Sequence, residues 1–158
     1  MAVPSLELES TLGPIDLAAF GSGRALLYVY PRTGRPGDVI PDSWNAIPGA
    51  RGCTPQSCGF RDRREELQRL GVQLAGLSTQ TLEEQIELSE RLGLLHPVIA
   101  DPELRLREAL ALPTFEFEGA ELYRRVTLVF SGGRVEKVFY PVFPPDRSAE
   151  EVVAWLGS

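Results

Sequence analysis

The residues best suited to chemistry are the only two cysteines in the chain, Cys53 and Cys58. Cys53 is preceded by Gly52 and followed by Thr54 and Pro55. Threonine is a suitable N-cap and proline suits the first helical position, so a helix is predicted to begin beside Cys53. The unpaired N–H groups and the positive dipole end at a helix start favour the thiolate form of a cysteine. Cys53 is therefore a candidate nucleophile.

Cys58 is predicted to lie on the same helix, which continues as an amphipathic run over residues 60–70. Five residues along a helix separate two alpha carbons by ~8–9 Å. A disulfide tolerates at most about 7 Å. If both cysteines are helical, they cannot bond unless the first turn unwinds. We therefore expect no resting structural disulfide, whereas one formed during turnover, coupled to local unfolding, fits the spacing.

The composition is that of an ordinary soluble globular domain. The chain has 158 residues, of which 43% are apolar and 24% charged, so one domain with a sizeable core is expected. The net charge of −6 argues against nucleic acid as a partner. We find no membrane-spanning apolar run and no signal peptide, and we expect a cytoplasmic protein. A cysteine pair there is redox-active or metal-binding more often than structural, and with His96 the only histidine no metal site is expected.

Apolar runs separated by turn residues predict the strands and helices of an α/β domain. Buried strands are predicted at 24–30, 72–78 and 97–100, and a hairpin joins 124–130 to 134–140 across Gly132 and Gly133. Further helices are predicted at 82–92, 101–110 and 148–156, with Thr81 and Ser148 as N-caps and Gly93 as a stop. The helix at 82–92 has an apolar stripe of Leu82, Ile86, Leu88 and Leu92. Together these elements predict a thioredoxin-like fold, a mixed central sheet flanked by helices on both faces.

The stretch from Gly52 to Asp62 resembles the Gly-Cys-Thr-x-x-x-Cys-x-Phe/Leu-Arg-Asp signature of one peroxiredoxin group, the bacterioferritin comigratory proteins or Q type. Residues 96–102, His-Pro-Val-Ile-Ala-Asp-Pro, are similar to the family pattern Phe-Pro-Leu-Leu-Ser/Ala-Asp-Pro. Residues 125–128, Arg-Val-Thr-Leu, are similar to its Arg-x-Thr-Phe. The resemblance implies a thiol-dependent peroxidase that reduces hydrogen peroxide and organic hydroperoxides.

The resemblance also implies roles for individual residues. Cys53 would be the peroxidatic cysteine, oxidised to a sulfenic acid, and Cys58 would resolve it as an intrasubunit disulfide. Arg125 would stabilise the thiolate and donate hydrogen bonds to the peroxide, although alternation alone does not separate it from Arg124. Pro31 would shield the thiolate. The reductant would be thioredoxin or a similar dithiol protein.

The chain departs from the family pattern just before Cys53. The family motif is Pro-x-x-x-Thr-x-x-Cys, whereas here Pro31 and Cys53 are 22 residues apart and Ala50 occupies the threonine position. Thr33 is the nearest candidate for the missing threonine. The Pro- and Gly-rich insertion at about 34–51 is predicted to be an ordered loop. It would be either a surface excursion, a lid over the Cys53 pocket or an oligomer contact.

Two other functions remain open on the sequence. A thiol–disulfide oxidoreductase is disfavoured because the chain lacks Cys-x-x-Cys. A redox-sensing binding module would use oxidation of the cysteine pair to reshape a surface for a partner. We expect a monomer or weak homodimer with no cofactor, no nucleic acid partner and no membrane partner.

Overall fold

The fold is built on a five-stranded mixed sheet. The computed structural model describes residues 2–31, 53–140 and 148–157, and for residues 53–55 the backbone only. The sheet has the strand order β5-β4-β3-β8-β9. Its strands are β3 (Ala25–Val29), β4 (Gln73–Ser78), β5 (Val98–Ala100), β8 (Val126–Ser131) and β9 (Arg134–Phe139). β3, β4 and β5 run parallel, while β8 is antiparallel to both β3 and β9.

Two small antiparallel hairpins make up the remaining strands of the described residues. β1 (Glu7–Leu8) pairs with β2 (Ile15–Asp16), and β6 (Thr114–Phe117) pairs with β7 (Ala120–Tyr123). The second hairpin was not predicted. Its turn places Glu118 and Gly119 at positive φ, 50° and 80°, and glutamate in that conformation is not a residue that marks a turn in the sequence.

Helices cover both faces of the sheet. Within the described ranges they are α1 (Leu17–Phe20), α2 (Cys53–Asp62), α3 (Arg64–Arg69), α4 (Leu82–Leu92), α5 (Arg105–Leu110) and α6 (Ser148–Leu156). One apolar cluster joins α1 and α5 to one face of the sheet. A second cluster joins α2, α3, α4 and α6 to the other face, where the side chains of Tyr28, Tyr30 and Val129 lie. The predicted mixed sheet with helices on both faces is confirmed.

The buried strands and several boundaries agree with the predictions. Thr81 and Glu84 form the predicted capping box of α4, and Gly93 ends this helix at a φ of 65°. Gly132 and Gly133, both at positive φ, join β8 to β9 as predicted. These features are set by local chemistry, so they could be read from short stretches of sequence.

Three predicted helix boundaries are wrong. α2 begins at Cys53, so Thr54 lies inside the helix and is not its N-cap. The predicted run at 60–70 is broken at Arg63 into α2 and α3. The helix predicted from residue 101 begins only at Arg105, because Leu104 adopts a left-handed conformation with a φ of 56°. The Asp101 carboxylate instead accepts hydrogen bonds from the N–H groups of Arg105 and the following residue, at 2.9 and 3.0 Å.

Candidate active site

Cys53 is the first residue of α2, a helix of ten residues. The backbone N–H groups of the first helical turn have no partners within the helix, so they are available to a ligand or an anion beside it. The predicted position of Cys53 at the mouth of a helix is confirmed by the backbone, even though the helix begins before Thr54 rather than after it.

Arg125 points at the first turn of this helix. Its side chain is buried, with 3% of the residue exposed, and it lies between β7 and β8. Its Nη1 donates a hydrogen bond to Oε1 of Gln56, which is fully buried. Gln56 is three residues after Cys53, so both lie on the same side of α2. The structure therefore brings a buried guanidinium to the side of α2 on which Cys53 lies.

Arg124 has a different environment. Its guanidinium lies over the ring of Phe115, 5.4 Å from the centroid, on the hairpin formed by β6 and β7. The two arginines therefore have different surroundings, and the structure distinguishes them where the alternation of residues along the strand could not. Arg125 is the one directed at α2, and its catalytic role stays a prediction.

Gln56 was not singled out in the sequence. Besides accepting from Arg125, its Nε2 donates to the hydroxyl oxygen of Ser148 at the start of α6, over 3.4 Å. Ser148 was predicted as the N-cap of that helix, but it is the first helical residue, so this prediction is wrong. A glutamine one turn after the candidate nucleophile Cys53 is the signal that could have identified Gln56.

Two buried hydroxyl groups lie on the elements that hold these residues. Ser57 follows Gln56 on α2, and Thr127 is two residues beyond Arg125 on β8. Both residues are fully buried, and neither hydroxyl has a hydrogen-bond partner among the described residues. Buried polar groups of this kind usually hold ordered water.

Cys58 is the sixth residue of α2 and is half-buried, with a free thiol. Cys53 and Cys58 both lie within one continuous helix, which is the case in which the sequence predicted that they cannot bond without unwinding. Their alpha carbons are ~8–9 Å apart in a regular helix, beyond the reach of a disulfide. A bond between the two cysteines therefore requires α2 to unwind locally.

The carboxyl half of α2 is anchored in the core by Phe60. This fully buried ring stacks on the ring of Tyr28 in β3, with centroids 4.6 Å apart and planes 10° apart. The Tyr28 ring in turn fills the space above Gly76 of β4, where an added Cβ would lie 2.6 Å from Cζ of the tyrosine. Glycine at position 76 is thus needed to seat the ring that supports α2.

His96 is a buried core histidine. Its Nε2 lies 2.6 Å from the hydroxyl of Tyr28, and its Nδ1 has no partner among the described residues. Burial, with a smaller effect from the charge of Arg64, lowers the pKa of His96 to about 4. The imidazole is therefore neutral at physiological pH and forms part of the support for Tyr28.

Hydrogen bonds hold the segment that follows β3, residues 30–31, against α4. Pro31 is buried in a bend two residues after the last residue of the strand, Val29. The hydroxyl of the preceding residue, Tyr30, donates to Oε1 of Gln85 on α4 over 2.7 Å. Gln85 Nε2 donates to Oγ of Ser78 and to the carbonyl oxygen of Ile99, both at 2.9 Å. This network positions Pro31, whereas Thr33, Ala50 and the insertion at 34–51 lie outside the described residues.

The described part of the chain contains no cluster of three or more His, Cys, Asp or Glu side chains that could hold a metal ion. None of its helices is both long and apolar enough to cross a membrane.

The comparisons with known proteins define the family. The redoxin family model matches residues 1–153, so the chain belongs to the redoxin family. It is 27% identical to peroxiredoxin Bcp of Escherichia coli K12 over 146 residues, covering 90% of this chain and 83% of the relative. It is 24% identical to chloroplastic peroxiredoxin Q of Sedum lineare over 156 residues, covering 98% of this chain and 75% of the relative.

Solved structures show the same fold. Peroxidoxin BcpB of Mycobacterium tuberculosis superposes with a TM-score of 0.79 at 23% identity, covering 99% of this chain and 94% of the other. Peroxiredoxin Q of Xanthomonas campestris superposes with a TM-score of 0.76 at 22% identity, covering 99% and 95%. The resemblance to Q-type peroxiredoxins and the thioredoxin-like fold are confirmed. The relatives support a thiol-dependent peroxidase over the redox-sensing module and the thiol–disulfide oxidoreductase.

Proposed function

We propose that this protein reduces hydrogen peroxide and organic hydroperoxides through Cys53, with Cys58 as the resolving cysteine. The Cys53 thiolate would attack the terminal oxygen of the peroxide. The O–O bond would break, the sulfur would become a sulfenic acid, and the leaving hydroxide or alkoxide would take up a proton. The observation that carries this proposal is the hydrogen bond from buried Arg125 to Gln56, on the helix that begins at Cys53.

Arg125 would act on both the thiol and the peroxide. A guanidinium against the first turn of α2 would add to the helix dipole in stabilising the Cys53 thiolate. Its planar donors would also stabilise the charge that develops on the departing oxygen. Gln56 would hold the guanidinium at this turn because the amide oxygen accepts from Nη1.

Pro31 and Thr33 would complete the pocket. Pro31, buried at the end of β3, would shield the thiolate from water. Thr33 would supply the hydroxyl that the family places three residues before the cysteine. The insertion at 34–51 would close over this pocket, form an oligomer contact or remain a surface excursion.

The second step would join the two cysteines. The Cys58 thiolate would attack the sulfenic sulfur of Cys53 and release hydroxide, which is protonated to water, leaving an intrasubunit disulfide. The helix must unwind for this step, since both cysteines lie within Cys53–Asp62. Thioredoxin or a similar dithiol protein would then reduce the disulfide and allow α2 to re-form.

The remaining properties follow from this chemistry. A cysteine pair that depends on a dithiol reductant suits a reducing compartment, and we place the protein in the cytoplasm. We propose a single domain over residues 1–158 that works as a monomer or weak homodimer, because both cysteines are supplied by one helix.

Intact mass after one equivalent of hydrogen peroxide, with alkylation of remaining thiols, tests the assignment. The wild type should lose two hydrogens and both alkylation sites. The Cys58→Ser variant should gain one oxygen, and Cys53→Ser should stay unchanged. A Cys53 that survives peroxide as a free thiol would overturn the proposal. Turnover with peroxide no faster than that of a free thiol would favour the redox-sensing module instead.

A further inference from the structure

The carboxyl half of α2 has a second attachment besides Phe60, at Arg61. The Nη1 of Arg61 donates to the carbonyl oxygen of Leu92, the last residue of α4, over 2.8 Å. Its Nε donates to the carboxylate of Asp62 at 3.0 Å. A carbonyl at a helix carboxyl end has no partner within its own helix and carries the negative end of the dipole. Leu92 is therefore a favourable acceptor for a guanidinium.

Arg61 is also a helical neighbour of Cys58. Residues three apart on a helix lie on the same side, with Cβ atoms about 5–6 Å apart. The hydrogen bond to Asp62 raises the pKa of Arg61 against the smaller opposing effect of burial, and negative charge on Cys58 raises it further. Arg61 therefore places a positive charge near this cysteine.

The two halves of α2 are held by different kinds of contact. In the amino half, Gln56 and Ser57 are buried but polar, and the Ser57 hydroxyl has no partner among the described residues. In the carboxyl half, Phe60 is stacked in the core and Arg61 is tied to α4. Exposing the polar amino half to water costs less than exposing a buried aromatic ring. Cys58 lies at the border between these halves.

We propose that Arg61 is a positioning residue for the resolving step, holding the carboxyl half of α2 against α4 and keeping a cation beside the Cys58 thiolate as it attacks the Cys53 sulfenate. In this step the S–S bond forms as the S–O bond breaks, and the released hydroxide is protonated to water. The same cation favours Cys58 as the leaving thiolate when the dithiol reductant attacks the Cys53 sulfur. This inference rests on the proposed roles of the two cysteines.

The test separates the two steps in single turnover. Sulfenate formation and disulfide formation are followed by rapid quenching, alkylation and mass analysis in wild type, Arg61→Gln, Arg61→Lys and Arg63→Gln. Arg63→Gln is the matched control, since it removes one arginine charge two residues away whose partner is the half-exposed Glu66, at 2.7 Å.

We expect Arg61→Gln to slow disulfide formation by roughly three- to tenfold, as for loss of a partly exposed charge and its hydrogen bond. Sulfenate formation should change by less than about twofold, since the hydrogen bonds of Arg61 go to Leu92 and Asp62 at the other end of α2 from Cys53. Under excess peroxide, the fraction of Cys53 overoxidised to sulfinate should rise in proportion to the lifetime of the sulfenate. Arg61→Lys should recover part of the rate, and Arg63→Gln should behave as wild type.

The conservative variant distinguishes this role from a purely structural one. Arg61→Lys keeps the positive charge but not the planar donors, so partial recovery of the rate of disulfide formation would show that the charge itself contributes. An unchanged rate in Arg61→Gln would overturn the inference while leaving the cysteine roles intact. Equal slowing of both steps with a lowered melting temperature would overturn it as well. Failure of the wild type to form the disulfide would instead overturn the proposed function.

Discussion

Mild acid should destabilise the folded protein through His96 before it affects most carboxylates. His96 is 2% exposed, bonded to Tyr28, and has a pKa lowered from 6.5 to about 4, chiefly by burial. Between these two values the unfolded chain binds a proton that the folded chain does not. The free energy of unfolding must therefore fall as the pH is lowered through this window and be fully present above it.

The magnitude follows from the two pKa values. At about pH 5 the unfolded histidine is almost fully protonated while the folded one remains mostly neutral, so linkage gives a loss of about 2 kcal/mol relative to about pH 7.5. For a domain of this size that is a large part of a typical stability of 5–15 kcal/mol. Because the chain contains one histidine, no second imidazole contributes to this change.

Urea unfolding at a series of pH values measures the effect, and a proton NMR titration of the single imidazole reports its pKa directly. The control is His96→Gln, which keeps a polar partner for the Tyr28 hydroxyl and cannot titrate in this range. Its stability should vary much less between about pH 7.5 and about pH 5, leaving only the carboxylate contribution. An imidazole that titrates near 6.5 in the folded state, or equal pH dependence in both proteins, would refute the reasoning.

Three further predictions concern the supports of the site. Gly76→Ala should cost about 1–3 kcal/mol of unfolding free energy, since its Cβ would lie 2.6 Å from the ring of Tyr28, whereas Gly23→Ala, with open space around it, should cost under about 0.5 kcal/mol. Equal denaturation midpoints for the two would contradict this packing. Arg125→Lys should slow single-turnover sulfenate formation about a hundredfold without changing the fold by circular dichroism, because an ammonium lacks the planar donor fork. A rate near that of wild type would exclude Arg125 from the chemistry. Thr81→Ala should cost about 1 kcal/mol in urea unfolding through loss of the α4 capping box, and a neutral result would show that the cap contributes nothing.

The parts of the fold that local chemistry determines could be predicted from the sequence. The β3 run is buried along its whole length and ends before Pro31, so its five apolar residues mark a central strand. Gly132 and Gly133 supply the two positive φ values that the β8–β9 turn requires. The thioredoxin-like arrangement followed from the order of such elements.

Which side chains of α4 are buried depends on tertiary contacts that the sequence does not reveal. The predicted stripe of α4 included Ile86, yet this residue is 39% exposed, while the neighbouring Gln85 is fully buried. Gln85 is accommodated because Tyr30, Ser78 and the Ile99 carbonyl meet its amide, and no sequence periodicity reveals such partners.

In the candidate site, too, some features could be predicted from the sequence and others depend on tertiary contacts. The positions of the two cysteines on one helix could be predicted from a short stretch of sequence. The choice of Arg125 over Arg124 depended on the direction of each side chain, and the contact of Gln56 with Ser148 joins residues from distant parts of the chain. A sequence pattern cannot provide this information without a packed structure.

The central position of β3 has a consequence for synthesis of the protein. On one side β3 pairs with β4, but on the other its Ala25 pairs with Phe130, about a hundred residues later in the chain. During translation the fully apolar β3 is thus made long before its antiparallel neighbour. The central β3–β8 pairing cannot form until β8 has left the ribosome. Nascent chains that stop short of β8 should therefore remain unfolded. Their exposed apolar β3 segment should make them substrates of chaperones and proteases.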